Sequence, residues 1–513
     1  MAEERPRTTT TAAPARASGW TLAAAVLIVC FVALALRGVW GQDATSDERR
    51  YFGVGHRILL TGDWTAPAAL LHPPLAYFVD SLPLFFMGPA PVEDRRVLLL
   101  CRATSLLVFG VPLLVAVFLW ARELHGPRAG LFALALLAFS PTVLAHAPLI
   151  TPDLPLTTTG VLALYLFHRA GHGAGRPWAW GPALGFCLLA KVTAWLIVVA
   201  VVIDGILTAW RRRDRAVLYR LAAGLLLAYV TLNLGYGFAG LLDARGKAAL
   251  LARVPDVPLA RAAAVAASPF LPLPYLQAAA TQLSVGWHGW PSYLMGQVSR
   301  TGWWYYFLVA LAVKETVPFL IVVAASFVLF PWKRAGRQDL LFLIPPILFL
   351  VGFSLGRVQI GIRYLLPAFP FLALFASGLA GRLRGRSLGL LAMLVGAHAV
   401  IGARACPDYI AYFNALAGGS ANGYRWLADS NLDWGQNETR LRAYARDHGI
   451  AVEPDVLPAS GRVAVRVNRL VGIGDPETYR VLRERYDPVG NVGYNWLIYD
   501  LARPRVPRSG GRD

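Results

Sequence analysis

Eleven apolar runs follow one another along the first four-fifths of the chain: 20–37, 97–120, 129–147, 153–168, 178–190, 192–210, 216–236, 306–331, 339–355, 364–380 and 387–403. A helix needs about 20 apolar residues to cross the hydrocarbon core. The short run 178–190 shares a tight hairpin with its neighbour, with Lys191 at the outer turn. From Arg404 to Asp513 charged and polar residues return and no run is long enough to span. There the pattern predicts a helix at Thr439–Asp447 and strands at Arg462–Val467 and Asn495–Leu501. The expected fold is an all-α polytopic membrane protein of about 11 transmembrane helices. Its parts are a tail at 1–19, a membrane body at 20–403 and a small C-terminal α/β domain at 404–513.

The basic loops orient these spans. Arg122–Arg128, Arg169–Arg176, Arg211–Arg215, Lys333–Arg337 and Arg382–Arg386 all carry Arg or Lys. With eleven spans they fall on the N-terminal side, as expected of cytoplasmic loops. Pro73–Gly88 would make a twelfth span and invert the later loops, but it is short and interrupted by Pro73, Pro74 and Pro83. It is read as interfacial or re-entrant. Arg5, Arg7 and Arg16 precede the first run, which reads as an uncleaved signal anchor with a cytoplasmic N-terminus. Outer loop 38–96, the turn at Asp153, outer loop 237–305 and the C-terminal domain are then extracytoplasmic.

Composition agrees with a membrane body. Hydrophobic residues make up 56% and charged residues 15% of the chain, against about 25% charged in soluble proteins. The net charge of +19 follows from the loop arginines, and no basic-aromatic surface module points to nucleic acid. Cys30, Cys101 and Cys187 lie within apolar runs and Cys406 outside them, so no disulfide framework or zinc spacing emerges.

Candidate chemistry gathers on the outer face. Outer loop 38–96 contains Ser46-Asp47-Glu48-Arg49-Arg50-Tyr51-Phe52, and Tyr51, Val54, Ile58 and Leu59 then recur at helical spacing. This predicts a short amphipathic helix on the membrane surface. Read locally, Asp47 and Glu48 are solvated carboxylates starting that helix, where its dipole favours them. Asp153, in Thr151-Pro152-Asp153-Leu154-Pro155, likewise reads as an N-cap. Lys191 lies between apolar half-runs, where a lysine either snorkels to the surface or serves a function. His72, His288, Arg357 and Arg363 complete the outer set. A lone histidine is commonly a hydrogen-bonded structural group, and an arginine at the mouth of a span can anchor to headgroups. Together, however, a carboxylate can accept the proton of an attacking hydroxyl, and cations can neutralise a phosphate. A substrate with a phosphate head and a lipid tail suits both. In the C-terminal part, Asp429, Asp433 and Trp434 fit either a sugar contact or a structural turn.

These residues fall in ordered motifs: Asp47-Glu48-Arg49-Arg50-Tyr51, Leu59-Leu60-Thr61-Gly62-Asp63-Trp64, His72-Pro73-Pro74-Leu75-Ala76-Tyr77, Thr151-Pro152-Asp153-Leu154-Pro155-Leu156, Leu188-Leu189-Ala190-Lys191 and Arg363-Tyr364-Leu365-Leu366-Pro367. Over roughly residues 20–400 the set resembles the GT-C membrane glycosyltransferases, in particular the glycosyltransferase family 39 protein O-mannosyltransferase and lipid A aminoarabinose transferase group. The resemblance implies inverting transfer of a sugar from a polyprenyl-phosphate donor to a protein, lipid or polysaccharide acceptor, among membrane lipids of a bacterial inner membrane. It implies Asp47 as general base and Glu48 as its acidic partner, the two also being the ligands of a divalent metal ion if one is used. It implies Asp153 as a second carboxylate, and Lys191 and Arg363 as donor-phosphate contacts, with His72, His288 and Arg357 as possible additions. His72 stands where the aminoarabinose transferases carry Lys. Loop 237–305 is too short for the domain that eukaryotic protein mannosyltransferases insert there. The alternative class is a multi-spanning transporter or flippase of a lipid-linked or anionic substrate. It fits less well, because the candidate charges sit at one face and no inverted repeat is visible.

Overall fold

A computed structural model describes residues 19–173, 176–252, 262, 265–332 and 341–505. The expected tail (save Gly19), the Lys333–Arg337 loop and part of outer loop 237–305 lie outside the described residues.

Among the described residues, each of the eleven apolar runs is largely helical. The bundle opens with α1 (Gly19–Val39), followed by four short helices: α2 (Ser46–Tyr51), α3 (Val54–Thr61), α4 (Leu75–Asp80) and α5 (Leu82–Met87). Next, α6 (Arg95–Ser105) and α7 (Val111–His125) form one rod through a π-helical turn, and α8 (Pro127–Ala138), α9 (Pro141–His146), α10 (Asp153–Gly171), α11 (Trp180–Ala190), α12 (Trp195–Arg212) and α13 (Ala216–Gly235) complete the first half. The second half holds α14 (Ala244–Leu251), α15 (Leu273–His288), the hairpin β1 (Ser292–Leu294) and β2 (Gln297–Ser299), then α16 (Tyr306–Lys314), α17 (Val317–Val328), α18 (Ile344–Ser354), α19 (Phe369–Arg382) and α20 (Gly385–Arg404). A 3-10 helix, Ile362–Ala368, leads into α19.

Six described helices are long and apolar enough to cross a membrane: Gly19–Val39, Arg95–His125, Val192–Arg212, Ala216–Gly235, Ile362–Arg382 and Gly385–Arg404. Two of the predicted spans are interrupted, and the sequence encodes both breaks. In run 129–147, Ser140 caps α9 through the Val143 N–H and Pro141 opens the helix. In run 306–331, Thr316 caps α17 through the Phe319 N–H, with Pro318 in its first turn. A side-chain cap followed by proline restarts a helix rather than continuing it.

The core lies where α7, α8, α10, α11 and α19 meet, around the fully buried Trp120 and Trp180. Close approach of α11 and α13 depends on glycine: a Cβ on Gly224 would stand 1.9 Å from the Trp180 ring. The expected single surface helix after Ser46 is instead two helices. Gly53, at φ +75°, redirects the chain between α2 and α3. Residues 73–88 form α4, largely buried, and α5, which exposes Phe85, Phe86 and Met87.

Beyond α20, residues 405–437 run over the bundle in 3-10 turns, followed by α21 (Glu438–His448), α22 (Val467–Leu470) and α23 (Arg480–Arg485). Strands β3 (Ala451–Val452), β4 (Arg462–Arg466), β5 (Gly490–Val492) and β6 (Trp496–Asp500) form a sheet of order β3-β4-β6-β5. Its β4–β6 pair is antiparallel, with Ala464 opposite Ile498. The C-terminal part is fastened to the body by Lys314. The Nζ donates to the carbonyls of Ile410, Tyr412 and Asn431 at 2.8, 2.6 and 2.7 Å and lies 4.3 Å from the Phe413 ring centre. Asn414 adds bonds to the carbonyls of Ala312 and Glu315.

Lys314→Met keeps the length of the side chain and removes its donors. Leaving several buried carbonyls unsatisfied costs on the order of 3 kcal/mol. The thermal midpoint of the detergent-solubilised variant is expected to fall by several degrees; an unchanged midpoint would refute the clamp.

Candidate active site

The segment between α1 and α6 is set by two consecutive acidic residues that do different things. Thr45 and Glu48 form a reciprocal cap on α2: Thr45 Oγ1 accepts from the Glu48 N–H at 3.3 Å, and the Thr45 N–H donates to Glu48 Oε2 at 2.8 Å. A Thr-x-x-Glu spacing makes this cap readable from sequence. Glu48 is fully buried. Both of its oxygens accept from Arg102, Oε1 from Nε at 2.8 Å and Oε2 from Nη2 at 2.6 Å, and Oε1 also accepts the Ile150 N–H. Arg102 further donates to the carbonyls of Val39, Gln42 and Asp43, tying the end of α1 to α6. Burial raises the Glu48 pKa, but Arg102 and the backbone donors outweigh it and hold the carboxyl below its usual value. Glu48 was expected beside Asp47 as an acidic partner; it is an internal anchor.

Asp47 points to a different set of groups. Its Oδ2 accepts from Arg363 Nη1 at 2.7 Å. The same Nη1 lies 3.5 Å from Asp153 Oδ2, and Asp153 Oδ1 accepts from Lys191 Nζ at 2.6 Å. Four charges from α2, the start of α10, the α11–α12 break and the 3-10 helix before α19 thus alternate in sign. The side chain of Asp47 is 17% exposed, that of Arg363 7%, Lys191 5% and Asp153 2%, so Asp47 is the outermost member. Asp153 faces these cations and does not cap its helix, whose N-cap is Pro152. Lys191 is buried and does not snorkel; its ammonium lies 4.9 Å from the Tyr364 ring centre.

Arg363 spends only Nη1 on carboxylates. Nε has no hydrogen-bond partner and none is found for Nη2 among the described residues, so the side-on edge that grips a phosphate in bidentate fashion is uncommitted. Trp434 holds the plane, with its ring centre 4.3 Å from Cζ. One face of Trp434 is therefore taken by Arg363, the His146 ring stands steeply against it at 5.9 Å between centroids, and with the residue buried no face is open for packing on a sugar.

The remaining candidates divide. His72 is buried beside the charges, edge-on to Tyr51 at 5.6 Å, with Nδ1 unpartnered. Burial, reinforced by Lys191, pushes its pKa down to about 3, so the ring is neutral. His288 and Arg357 lie apart from the four charges: both are exposed, His288 Nδ1 bonds the Ser284 carbonyl and Arg357 donates to the Trp287 carbonyl. The carboxylates do not fit a metal site. Asp47, Glu48 and Asp153 are each engaged by a cation, and among the described residues no group of three His, Cys, Asp or Glu is arranged to hold an ion. Sequence reasoning missed Arg102 and Lys314, although an ionisable residue within an apolar run is itself a signal. His146, within run 129–147, carried the same mark.

Residues 96–236 match the family model described as dolichyl-phosphate-mannose-protein mannosyltransferase. Among solved structures, ArnT from Cupriavidus metallidurans bound to undecaprenyl phosphate aligns over 97% of this chain and 100% of its own, at 17% identity and a TM-score of 0.53. The chain has the fold of ArnT. Apo ArnT aligns over 94% of this chain and 97% of its own, at 15% identity and TM-score 0.49. The Archaeoglobus fulgidus oligosaccharyltransferase tethered to an acceptor peptide aligns over 83% and 57%, at 14% identity and TM-score 0.48. No curated protein matches the sequence. With this fold and its apolar helices, the chain is an integral membrane protein.

Glu48→Gln leaves the Arg102 guanidinium buried without its counter-ion, at a cost of about 3–5 kcal/mol. The variant is expected to unfold at clearly lower temperature in detergent than wild type. The depressed pKa of Glu48 also gives a sign: its stabilisation is complete above the ordinary value of 4.5 and fades as pH falls towards the folded-state value. The gap between wild type and variant is therefore expected to narrow in acid. Equal thermal midpoints at neutral pH would contradict the assignment.

Proposed function

We propose that this protein is an inverting glycosyltransferase that moves a sugar from a polyprenyl-phosphate donor to an acceptor hydroxyl on the outer face of the membrane. The observation that carries this reading is the alternating chain Asp47–Arg363–Asp153–Lys191, with Asp47 outermost and the two cations behind it. Asp153 supports both cations, so they can remain charged in a buried setting. The fold shared with a protein bound to undecaprenyl phosphate supports a lipid-phosphate donor.

Asp47 takes the proton of the acceptor hydroxyl. The hydroxyl oxygen forms a bond to the anomeric carbon from the side opposite the phosphate. The bond between that carbon and the phosphate oxygen breaks, and its electron pair leaves with the polyprenyl phosphate. The unpaired edge of Arg363 and the remaining donors of Lys191 neutralise the departing charge. Glu48, through α2, fixes the position of Asp47 and takes no part in the proton transfer. The C-terminal part and outer loop 1 belong on the outer face in this reading, and the basic loops on the cytoplasmic face.

Removing a general base typically slows transfer by about 10²–10⁴-fold. Asp47→Asn, purified in detergent with its fold intact, is therefore expected to lose release of polyprenyl phosphate from a labelled polyprenyl-phosphate hexose. Full activity of Asp47→Asn sinks the assignment. Flux of the lipid across proteoliposomes without sugar release would favour the transporter alternative.

A further inference from the structure

The mechanism above leaves one carboxylate at the site unused. Asp429 begins the segment Asp429-Ser430-Asn431-Leu432-Asp433-Trp434, which wraps the residues around Arg363. Ser430 Oγ donates to the Ile360 carbonyl at 2.7 Å, and Asn431 Oδ1 accepts the Ile362 N–H at 2.8 Å. The approach is so close that a Cβ on Gly361 would stand 2.2 Å from Ser430 Oγ. Five residues after Asp429, Trp434 lies over the Arg363 guanidinium.

Asp429 is held in a defined orientation. Its backbone is left-handed, at φ +54°, a region Asp tolerates better than most residues but one that must be held in place. Asn468 Oδ1 accepts the Asp429 N–H at 2.8 Å, and the Asp429 carbonyl accepts from the N–H groups of Leu432 and Asp433 at 2.9 and 2.8 Å. The side chain is only partly covered. Oδ1 accepts the Ser430 N–H at 2.6 Å, and no partner for Oδ2 is found among the described residues. Arg363 and Asp47 both act on it electrostatically, and it acts in turn on Tyr364. Burial pushes the carboxyl up to about 7, against the pull of Arg363, so it can both accept and donate near neutral pH.

A second carboxylate within the field of Arg363 is the wrong sign for the donor phosphate. A rigidly presented oxygen with no internal partner suits neutral hydroxyls, because a hydrogen bond to a carboxylate is charge-assisted. We propose that Asp429 binds the sugar of the donor, its free oxygen taking a hydroxyl of the glycosyl unit whose phosphate lies against Arg363 and Lys191. This rests on the polyprenyl-phosphate reading above and extends it: the last part of the chain supplies the sugar contact, and the membrane body the phosphate contacts.

The test compares two kinds of probe on the full-length protein in detergent: bare undecaprenyl phosphate, and a panel of undecaprenyl-phosphate hexoses and pentoses. Asp429→Ala is expected to weaken binding of the sugar-bearing probes by on the order of tenfold and to change binding of the bare lipid phosphate by less than about twofold. Retained binding of the bare lipid also shows that the variant is folded. Asp429→Asn, which keeps the shape and tolerates the left-handed backbone, is expected to lose less. Equal effects on both probes, or none on either, overturn the sugar contact while leaving the donor class standing. A wild-type protein that binds the bare lipid but no sugar-bearing probe also overturns it. A wild-type protein that binds neither probe overturns the polyprenyl-phosphate reading itself.

Discussion

A guanidinium as deeply placed as that of Arg363 has to be neutralised where it stands, since an unpaired buried charge costs several kcal/mol. Its neutralisation draws in separate pieces of the molecule. Asp47 comes from α2, Asp153 from the start of α10 and the Trp434 face from the C-terminal part. Asp153 in turn holds Lys191 at the break between α11 and α12. The site is thus a consequence of balancing one buried cation, and the elements that balance it are the elements that line it.

The adjacent carboxylates Asp47 and Glu48 show how neighbouring positions on a helix divide labour. Glu48 satisfies Arg102 and caps α2 from within, so its energy goes into stability. Asp47, on another face of the same turn, keeps an outward approach. The anchoring of one makes the placement of the other reproducible, and a helix of only six residues would otherwise be a poor platform.

Much of this was legible in the sequence. Apolar length marked the helical runs, and the ordered motifs marked Asp47, Asp153, Lys191 and Arg363, which the fold brings together from up to 316 positions apart. Hydropathy alone missed the breaks at Ser140 and Thr316, because the cap and the proline that cause them are few residues in long apolar runs. It also gave Glu48 to the solvent, since the arginine that claims it lies 54 residues away in a segment read only for its length. His288 and Arg357 looked equivalent to His72 on local grounds. Only the folded arrangement separates them: His72 is buried beside the charges, and His288 and Arg357 are exposed.

The Lys314 clamp bears on how the molecule is made. Ribosomal synthesis delivers Asp47, Asp153, Lys191 and Arg363 well before the carbonyls of Ile410, Tyr412 and Asn431 that receive the Lys314 ammonium. Asn431 is also the residue that receives the Ile362 N–H beside Arg363. The bundle can therefore be inserted while its charged centre is still unfinished, and the segment from Ile410 to Trp434 closes it. A bundle made only as far as Arg363 lacks both the Asn431 contact beside that arginine and the Trp434 face over it.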